Sequence, residues 1–362
     1  MNANNKQRIT GFDLARALAI FGMVIVNFKI AMNAQTGNAL LLNFAEFFEG
    51  RASALFVILA GVGVTFLTNK ARNSSDVALK NARYSLIKRG LLLIGIGLIY
   101  TPIWPADILH FYGFYFLIAA VLFNANDKTL LRSSFVIMLA FPCLMLFFDY
   151  EKHWHWLTLT YENFWTVDGM LRHIVFNGFH PIFPWAAFLV FGMWLARQDL
   201  SNKLFRAKLL KYALFILIIT ESLFYFIRVM LGDGSALALK SEEVAFIFST
   251  AIIPPLPQYV ISATSSAVII LIGCLIFSEK FSNTKLHEWL AKTGQMSLTL
   301  YVAHVFLGMG VLESFGWLTD QTIEHALFSA FLFCFWAIVF SVFWLNYFKT
   351  GPLEWMFRKL SA

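Results

Sequence analysis

Stretches of consecutive apolar residues recur along the whole chain, at about 11–32, 47–68, 84–100, 108–123, 133–150, 181–196, 208–231, 255–277, 296–316 and 325–347. A helix needs about 20 apolar residues to cross the hydrocarbon of a bilayer. Each run therefore predicts one crossing, the shorter ones tilted or trimmed at their ends. The polar segments between the runs alternate in character. One set is basic: Lys70, Arg72, Lys80, Arg83, Lys88 and Arg89; then Lys128 and Arg132; then Arg197, Lys203, Arg206, Lys208 and Lys211; then Lys280, Lys285 and Lys292; and finally Lys349, Arg358 and Lys359. The other set holds scattered bases (Lys152, Arg172, Lys240) beside Asp168, Asp233, Glu242 and Glu243. Cytoplasmic loops retain Lys and Arg, so the alternation predicts an all-α, polytopic membrane bundle. It has about ten transmembrane helices, with the N-terminus and the C-terminus inside. Miscounting one helix would break the alternation.

The chain reads as a single integral membrane domain over residues 1–362, with larger outward segments at about 151–180 and 232–254. The first is rich in Trp, His and Phe and predicts a folded lid or an interfacial helix. Composition agrees with the pattern: 59% of residues are hydrophobic, 17% aromatic and 14% charged, with a mean hydropathy of +0.68. Soluble domains carry about a quarter charged residues. The net charge of +7 is spread over short loops rather than gathered in a stripe, which argues against nucleic-acid binding. Cys143, Cys274 and Cys334 all lie within apolar runs and make no disulfide framework. Lys6 and Arg8 precede the first apolar run as in a signal peptide, but Asp13 and Arg16 fall inside its beginning and further spans follow. It reads as an uncleaved first helix.

Ionisable groups inside apolar runs are costly and mark candidate chemistry. Asp13 and Arg16, three apart, share a helix face: an interfacial ion pair, or with Arg16 turned to a cosubstrate phosphate. Lys88 and Arg89 admit the same two readings. Asn27 lies deep in the first run, where an amide needs an interhelical partner. Glu49, Gly50 and Arg51 open the second run, as an ion pair at an aqueous cavity or as an interfacial cap. Asp107 and His110, also three apart, lie at the entry to the fourth; a carboxylate beside an imidazole orients it as a general base requires, while an N-cap Asp and an interfacial His is the plainer alternative.

His180, in Asn177-Gly178-Phe179-His180-Pro181-Ile182-Phe183-Pro184-Trp185, hangs at the mouth of the sixth run. Ser297, Tyr301 and His304 recur at spacings of four and three on one stripe, with His304 near mid-depth, for catalysis or for an interhelical hydrogen bond. Glu221 and Arg228 share a face of the seventh run. The run His153-Trp154-His155-Trp156 reads as an aromatic belt rather than a metal site. Gly61-x-Gly63 and Gly95-x-Gly97 read as close helix packing.

Several stretches together resemble the YeiB-like family of bacterial membrane proteins and, more distantly, the catalytic domain of heparan-α-glucosaminide N-acetyltransferase and the wider membrane acyltransferases. They are Gly11-Phe12-Asp13-Leu14-Ala15-Arg16 through Val26-Asn27, Phe48-Glu49-Gly50-Arg51 with Leu55-Phe56, Asp107 to Tyr112, Pro181 to Gly192, Gly294 to Tyr301, and Gly351-Pro352-Leu353-Glu354-Trp355.

The resemblance implies transfer from cytoplasmic acyl-CoA (acetyl-CoA) to an envelope acceptor such as a sugar or glycolipid, in the bacterial cytoplasmic (inner) membrane. Asn27 aligns with an active-site asparagine of the acetyltransferase. That enzyme's histidine shortly after it has no counterpart, since residues 31–46 contain no His, so His110, His180 or His304 must substitute. On this reading His110 with Asp107, or else His304, is the base. Asn27 or Tyr301 donates to the oxyanion, Arg16, Lys88 and Arg89 hold CoA phosphates, and Arg51, Glu49 and His180 contact the acceptor. No metal and no bound cofactor is expected, and membrane lipids are the expected surroundings. A transporter or lipid flippase lined by Asn27, Glu221, Arg228 and His304, and a non-catalytic scaffold, are the rival readings.

Overall fold

The protein is described by a computed structural model covering residues 9–156, 158–232 and 240–361. Lys6, Arg8 and Asp233 lie outside the described residues. In chain order the helices are α1 (Thr10–Ala31), α2 (Ala39–Phe48), α3 (Arg51–Arg72), α4 (Asp76–Tyr100), α5 (Leu109–Leu122), α6 (Asp127–Met145), α7 (Val167–Arg172), α8 (Ile182–Leu195), α9 (Lys203–Met230), α10 (Ser241–Ile247), α11 (Pro257–Lys280), α12 (Lys285–Gln295), α13 (Ser297–Ala303), α14 (Gly310–Ser314), α15 (Ile323–Tyr347) and α16 (Pro352–Ser361). π-Helical segments, His173–Asn177 and His304–Met309, follow α7 and α13. The outward Trp/His-rich segment holds a two-stranded antiparallel hairpin, β1 (Trp154–His155) with β2 (Thr160–Tyr161), Trp154 opposite Tyr161. A hairpin followed by a helical turn thus stands where a lid or interfacial helix is predicted.

Among the described residues, seven helical stretches are long and apolar enough to cross a membrane: Thr10–Ala31, Ala39–Arg72, Asp127–Met145, Lys203–Met230, Pro257–Lys280, Ser297–Ser314 and Ile323–Tyr347. The bent pair Val167–Asn177 and Ile182–Leu195, 47° apart, brings the number to eight. Two further apolar runs of the sequence are helical but fall short by this measure. α4 has 25 residues but carries Lys80, Arg83, Lys88 and Arg89, and α5 has only 14. The protein is a multi-pass, helical membrane protein.

Helix starts follow local chemistry. Asn38, Ser75, Asn126 and Asn202 precede α2, α4, α6 and α9, and each side chain accepts a backbone N–H of the first turn, supplying a partner to donors that otherwise have none.

The chain groups into two compact units. The first combines the stretch ending at Phe56 with Ala267–Lys359; the second is Val57–Ser266 with the last residues from Leu360. In the first unit, a Cβ on Gly294 would collide with the backbone of Asp13, so the glycine allows α12 to lie against α1. Thr10 Oγ1, Ser278 Oγ and His287 Nε2 form a triangle of contacts of 2.6, 3.0 and 3.0 Å. Glu354, from the Gly351-Pro352-Leu353-Glu354-Trp355 stretch, accepts Leu298 N at 2.8 Å, Thr299 N at 3.1 Å and Thr299 Oγ1 at 2.6 Å. The carboxylate caps α13, where anions are favoured by the helix dipole.

In the second unit, Gly61 meets the carbonyl of Leu189, and Gly192 meets that of Ile58, at a crossing of α3 and α8 too close for side chains. Gly97 of α4 faces the backbone of His110, whose Cα and Cβ lie 2.7 and 2.8 Å from where a Cβ would stand. Gly90 meets Gly113 in the same seam. Of the glycines that read as packing signals, Gly61 lies at the crossing of α3 and α8, Gly97 places His110 against α4, and Gly95 meets nothing within 4 Å.

Candidate active site

In the second unit, the turn before α5 brings Asp107 and His110 together, and both side chains are fully buried. Asp107 Oδ2 accepts Leu109 N at 2.9 Å and His110 N at 3.3 Å, the bonds of a helix cap. The same oxygen lies 3.2 Å from His110 Nδ1. Cap and dyad are one arrangement. A carboxylate accepts, so Nδ1 carries the hydrogen and Nε2 presents a lone pair. That Nε2 is buried with no hydrogen-bond partner. Thr101 Oγ1 stands 3.5 Å from Nδ1 and itself donates to Gly97 O at 2.8 Å.

Around Phe111, next in sequence, two more imidazoles gather. The His173 ring lies 5.3 Å from Phe111 and 5.9 Å from His110, stacked on both. The His180 ring lies 6.0 Å from Phe111 and 4.5 Å from Trp185. His173 is 2% exposed and His180 8%. Nδ1 of each, and Nε1 of Trp185, are buried without a partner. Phe164 and Tyr161 pack edge-on against His173 at 4.9 and 4.6 Å.

The walls are tied by Asn177. Its Nδ2 donates to the carbonyls of Tyr150 and Lys152, both at 2.9 Å, and its Oδ1 accepts Tyr161 Oη at 3.0 Å. Trp154 Nε1 donates to its carbonyl, and Tyr115 donates to that of His180. Burial holds the Tyr161 phenol above its ordinary pKa, with Arg172 and the Asn177 bond pulling the other way. It stays a neutral donor. His153 and His155 bond Asp168 and Glu162 at 3.2 and 2.9 Å, and among the described residues no group of His, Cys, Asp and Glu is arranged to hold a metal ion.

Lys88 and Arg89 lie on α4, the helix that carries Gly97 against His110. At about 1.5 Å per residue, Arg89 is about 12 Å along the axis from Gly97. Glu221 accepts Thr250 at 2.9 Å and also Ser262, and Arg228 donates to Phe248 O at 2.6 Å.

The remaining predicted site residues belong to the first unit. Asn27 Nδ2 contacts His304 Nε2 at 2.8 Å, and His304 Nδ1 contacts the Tyr301 carbonyl. A carbonyl only accepts, so Nδ1 carries the hydrogen and Nε2 accepts from the amide. His304 is 1% exposed and begins a π-helical segment. Tyr301 stacks on Phe56 at 6.4 Å. Arg16 Nη1 bonds Asp13 at 2.8 Å. Lys29 bonds Glu49 at 2.8 Å and Glu46 at 3.4 Å, and Arg51 lies over the Phe47 ring at 5.7 Å.

Sequence reasoning missed His173, Trp185 and Lys29. A histidine followed by Ile174-Val175-Phe176 and a lysine two residues past Asn27 are both polar groups in apolar surroundings, the signal that singled out their neighbours.

A multi-pass helical protein with a buried Asp–His pair and an open ring nitrogen is the class that fold and site define. Residues 8–230, over half of the chain, match the family described as heparan-alpha-glucosaminide N-acetyltransferase, catalytic, and the chain belongs to that membrane acyltransferase-like family. Residues 195–362 match the family described as protein of unknown function (DUF418). A relative, the uncharacterized protein YxaH of Bacillus subtilis (strain 168), is 22% identical over 403 residues, covering 97% of this chain and 94% of its own.

Proposed function

We propose that the protein is an acyltransferase of the bacterial inner membrane, with both ends in the cytoplasm, that moves an acyl group from acyl-CoA to an envelope acceptor with His110 as general base. The observation that carries this reading is the His110 ring itself: Nδ1 on the Asp107 carboxylate at 3.2 Å, Nε2 buried and open. A base needs a fixed ring and a lone pair to receive the proton. His110 and Asp107 also lie within residues 8–230, the part matching the acetyltransferase catalytic family, and His304 does not.

In the reaction, His110 Nε2 takes the acceptor's proton as the acceptor attacks the thioester carbonyl. The carbon–sulfur bond breaks, and the leaving thiolate recovers that proton from His110. Asp107 stabilises the imidazolium between the two transfers. Lys88 and Arg89 hold the CoA phosphates. Arg16, bonded to Asp13, is a third candidate.

The test is thiol release from acetyl-CoA by the purified protein in bilayers containing envelope lipids. Wild type turns over and His110→Ala does not, at unchanged thermal stability. Full turnover in His110→Ala removes this base. Loss in His304→Ala alone transfers the role to the first unit.

A further inference from the structure

α4 and α5 run antiparallel, with Gly97 at His110, Gly90 at Gly113 and Arg83 at Ala120. The end of α5 far from His110 collects arginines. Arg83 Nε donates to Ala120 O at 3.1 Å, and its guanidinium lies over the Phe123 ring at 5.8 Å. Arg197 donates to Phe123 O at 2.8 Å, to Ala125 O at 2.6 Å and to Asp127 at 3.1 Å. These bonds satisfy carbonyls at a helix C-terminus, where cations are favoured.

Arg72, the last residue of α3, has no such task. Among the described residues it makes no ion pair, and its buried Nε has no hydrogen-bond partner. Its charge nonetheless acts on Arg197, whose side chain is 6% exposed. Burial holds the Arg197 pKa below the ordinary guanidinium value, the Asp127 bond opposes this, and the Arg72 charge adds to it. A guanidinium does not escape by losing its proton.

Retention of basic residues on one side of the bilayer explains why arginines lie here. It does not explain why one without an acid of its own is set beside another that is buried. The carboxylate at hand, Asp127, is half-exposed and also accepts Gln198 at 3.3 Å. Three guanidinium groups against one carboxylate leave positive charge in surplus. A phosphate monoester carries about two negative charges and several acceptor oxygens, and guanidinium forks match its geometry. A carboxylate carries only one.

We propose that Arg72, Arg83 and Arg197 form a site for a phosphate monoester at the end of α5 remote from His110. Two sources fit this chemistry: the 3′-phosphate of CoA and the headgroup of phosphatidic acid. The CoA source rests on the acyltransferase reading and complements the role given to Lys88 and Arg89; the lipid source stands without it.

The test titrates the wild-type protein in phosphatidylcholine nanodiscs with CoA and with dephospho-CoA by calorimetry, and compares melting temperatures with and without phosphatidic acid in the bilayer. A CoA site gives CoA a Kd about tenfold or more below that of dephospho-CoA, and a lipid site gives a rise in melting temperature with phosphatidic acid. Arg72→Ala removes a side chain that makes no hydrogen bond in the fold, and Arg83→Ala is the second variant. Loss of either response in either variant retains the site and names its source. Absence of both responses in wild type, or their survival in both variants, overturns the proposal. Thiol release from acetyl-CoA judges the acyltransferase reading separately: release with the site overturned leaves that reading standing, and no release with the lipid response retained removes that reading alone.

Discussion

Asn27 with His304 in the first unit and Asp107 with His110 in the second each set a buried histidine against a polar partner, and the two pairs are differently built. In the first, His304 is held on one side by an amide and on the other by a carbonyl, so both ring nitrogens are engaged by neutral groups. In the second, His110 leans on a carboxylate, and its other nitrogen is open. On the proposed reading, the partner set rather than burial separates a base from a packing histidine. An imidazole between an amide and a carbonyl is a satisfied interhelical bond. One with a carboxylate behind it and a vacant lone pair is prepared to accept a proton.

The largest expected effect breaks the comparison at its centre. His110→Ala should lower acyl transfer by about 10²–10⁴-fold, the usual weight of general acid–base catalysis. His304→Ala should leave the rate per folded molecule within about threefold, as expected of a group outside the transition state. Both are measured as thiol release at saturating acetyl-CoA, normalised to folded protein. Equal losses in the two variants would erase the distinction drawn between the pairs.

Asp107→Asn comes next. An asparagine oxygen still caps α5, because Asn and Asp serve equally at that position, so the melting temperature should hardly move. The amide oxygen still accepts Nδ1–H but carries no charge to stabilise the imidazolium, and a weakened base of this kind costs about 10²-fold. The expected result is a drop in kcat of that order with KM for acetyl-CoA preserved. A variant that melts early but turns over normally would show the carboxylate to be a cap and nothing more.

In the first unit the same logic predicts a stability effect instead. Asn27→Ala leaves His304 Nε2 buried with no donor, and such a loss costs about 1–3 kcal/mol. Thermal unfolding in detergent should fall accordingly, while the rate per folded molecule stays near wild type. Asn27→Ala with normal stability and lost activity would return the reaction to the first unit.

The helical membrane class was legible because burial in lipid imposes long apolar runs, and those runs coincide with helices even where α4 and α5 are too charged or too short to count as spans alone. Pairs three apart were legible too, since helix geometry puts Asp13 beside Arg16, and the Asp107 turn puts that residue beside His110. Contacts across the chain were not. Nothing in local sequence ties Asn27 to His304, 277 positions later, or Glu354 to the start of α13. His173 was hidden for another reason. Its π-helical turn departs from the 3.6-residue period on which face assignments rest, so spacing alone gives no face for it.

The smallest effect concerns the wall over His110 and separates the units by pH. The Tyr161 phenol is held above its ordinary value of about 10 by burial, so the folded hairpin grips its proton more tightly than the open one. Opening followed by ionisation then releases a proton, and the contribution of this phenol to stability is complete below about pH 10 and declines as pH rises beyond it. Tyr161 also donates to Asn177, which ties Tyr150 and Lys152 to the segment before His180. Loosening should therefore begin there. Hydrogen exchange, corrected for its intrinsic pH dependence, should show residues 150–180 losing protection as pH rises above about 10 while residues 297–309 keep theirs. Tyr161→Phe removes the titrating group and should flatten that pH dependence, although it also forfeits the bond to Asn177. If both segments open together at alkaline pH in wild type and variant alike, the hairpin is not a separately stabilised wall, and the buried state of His110 has to be ascribed to the packing of α4 and α5 at Gly97 instead.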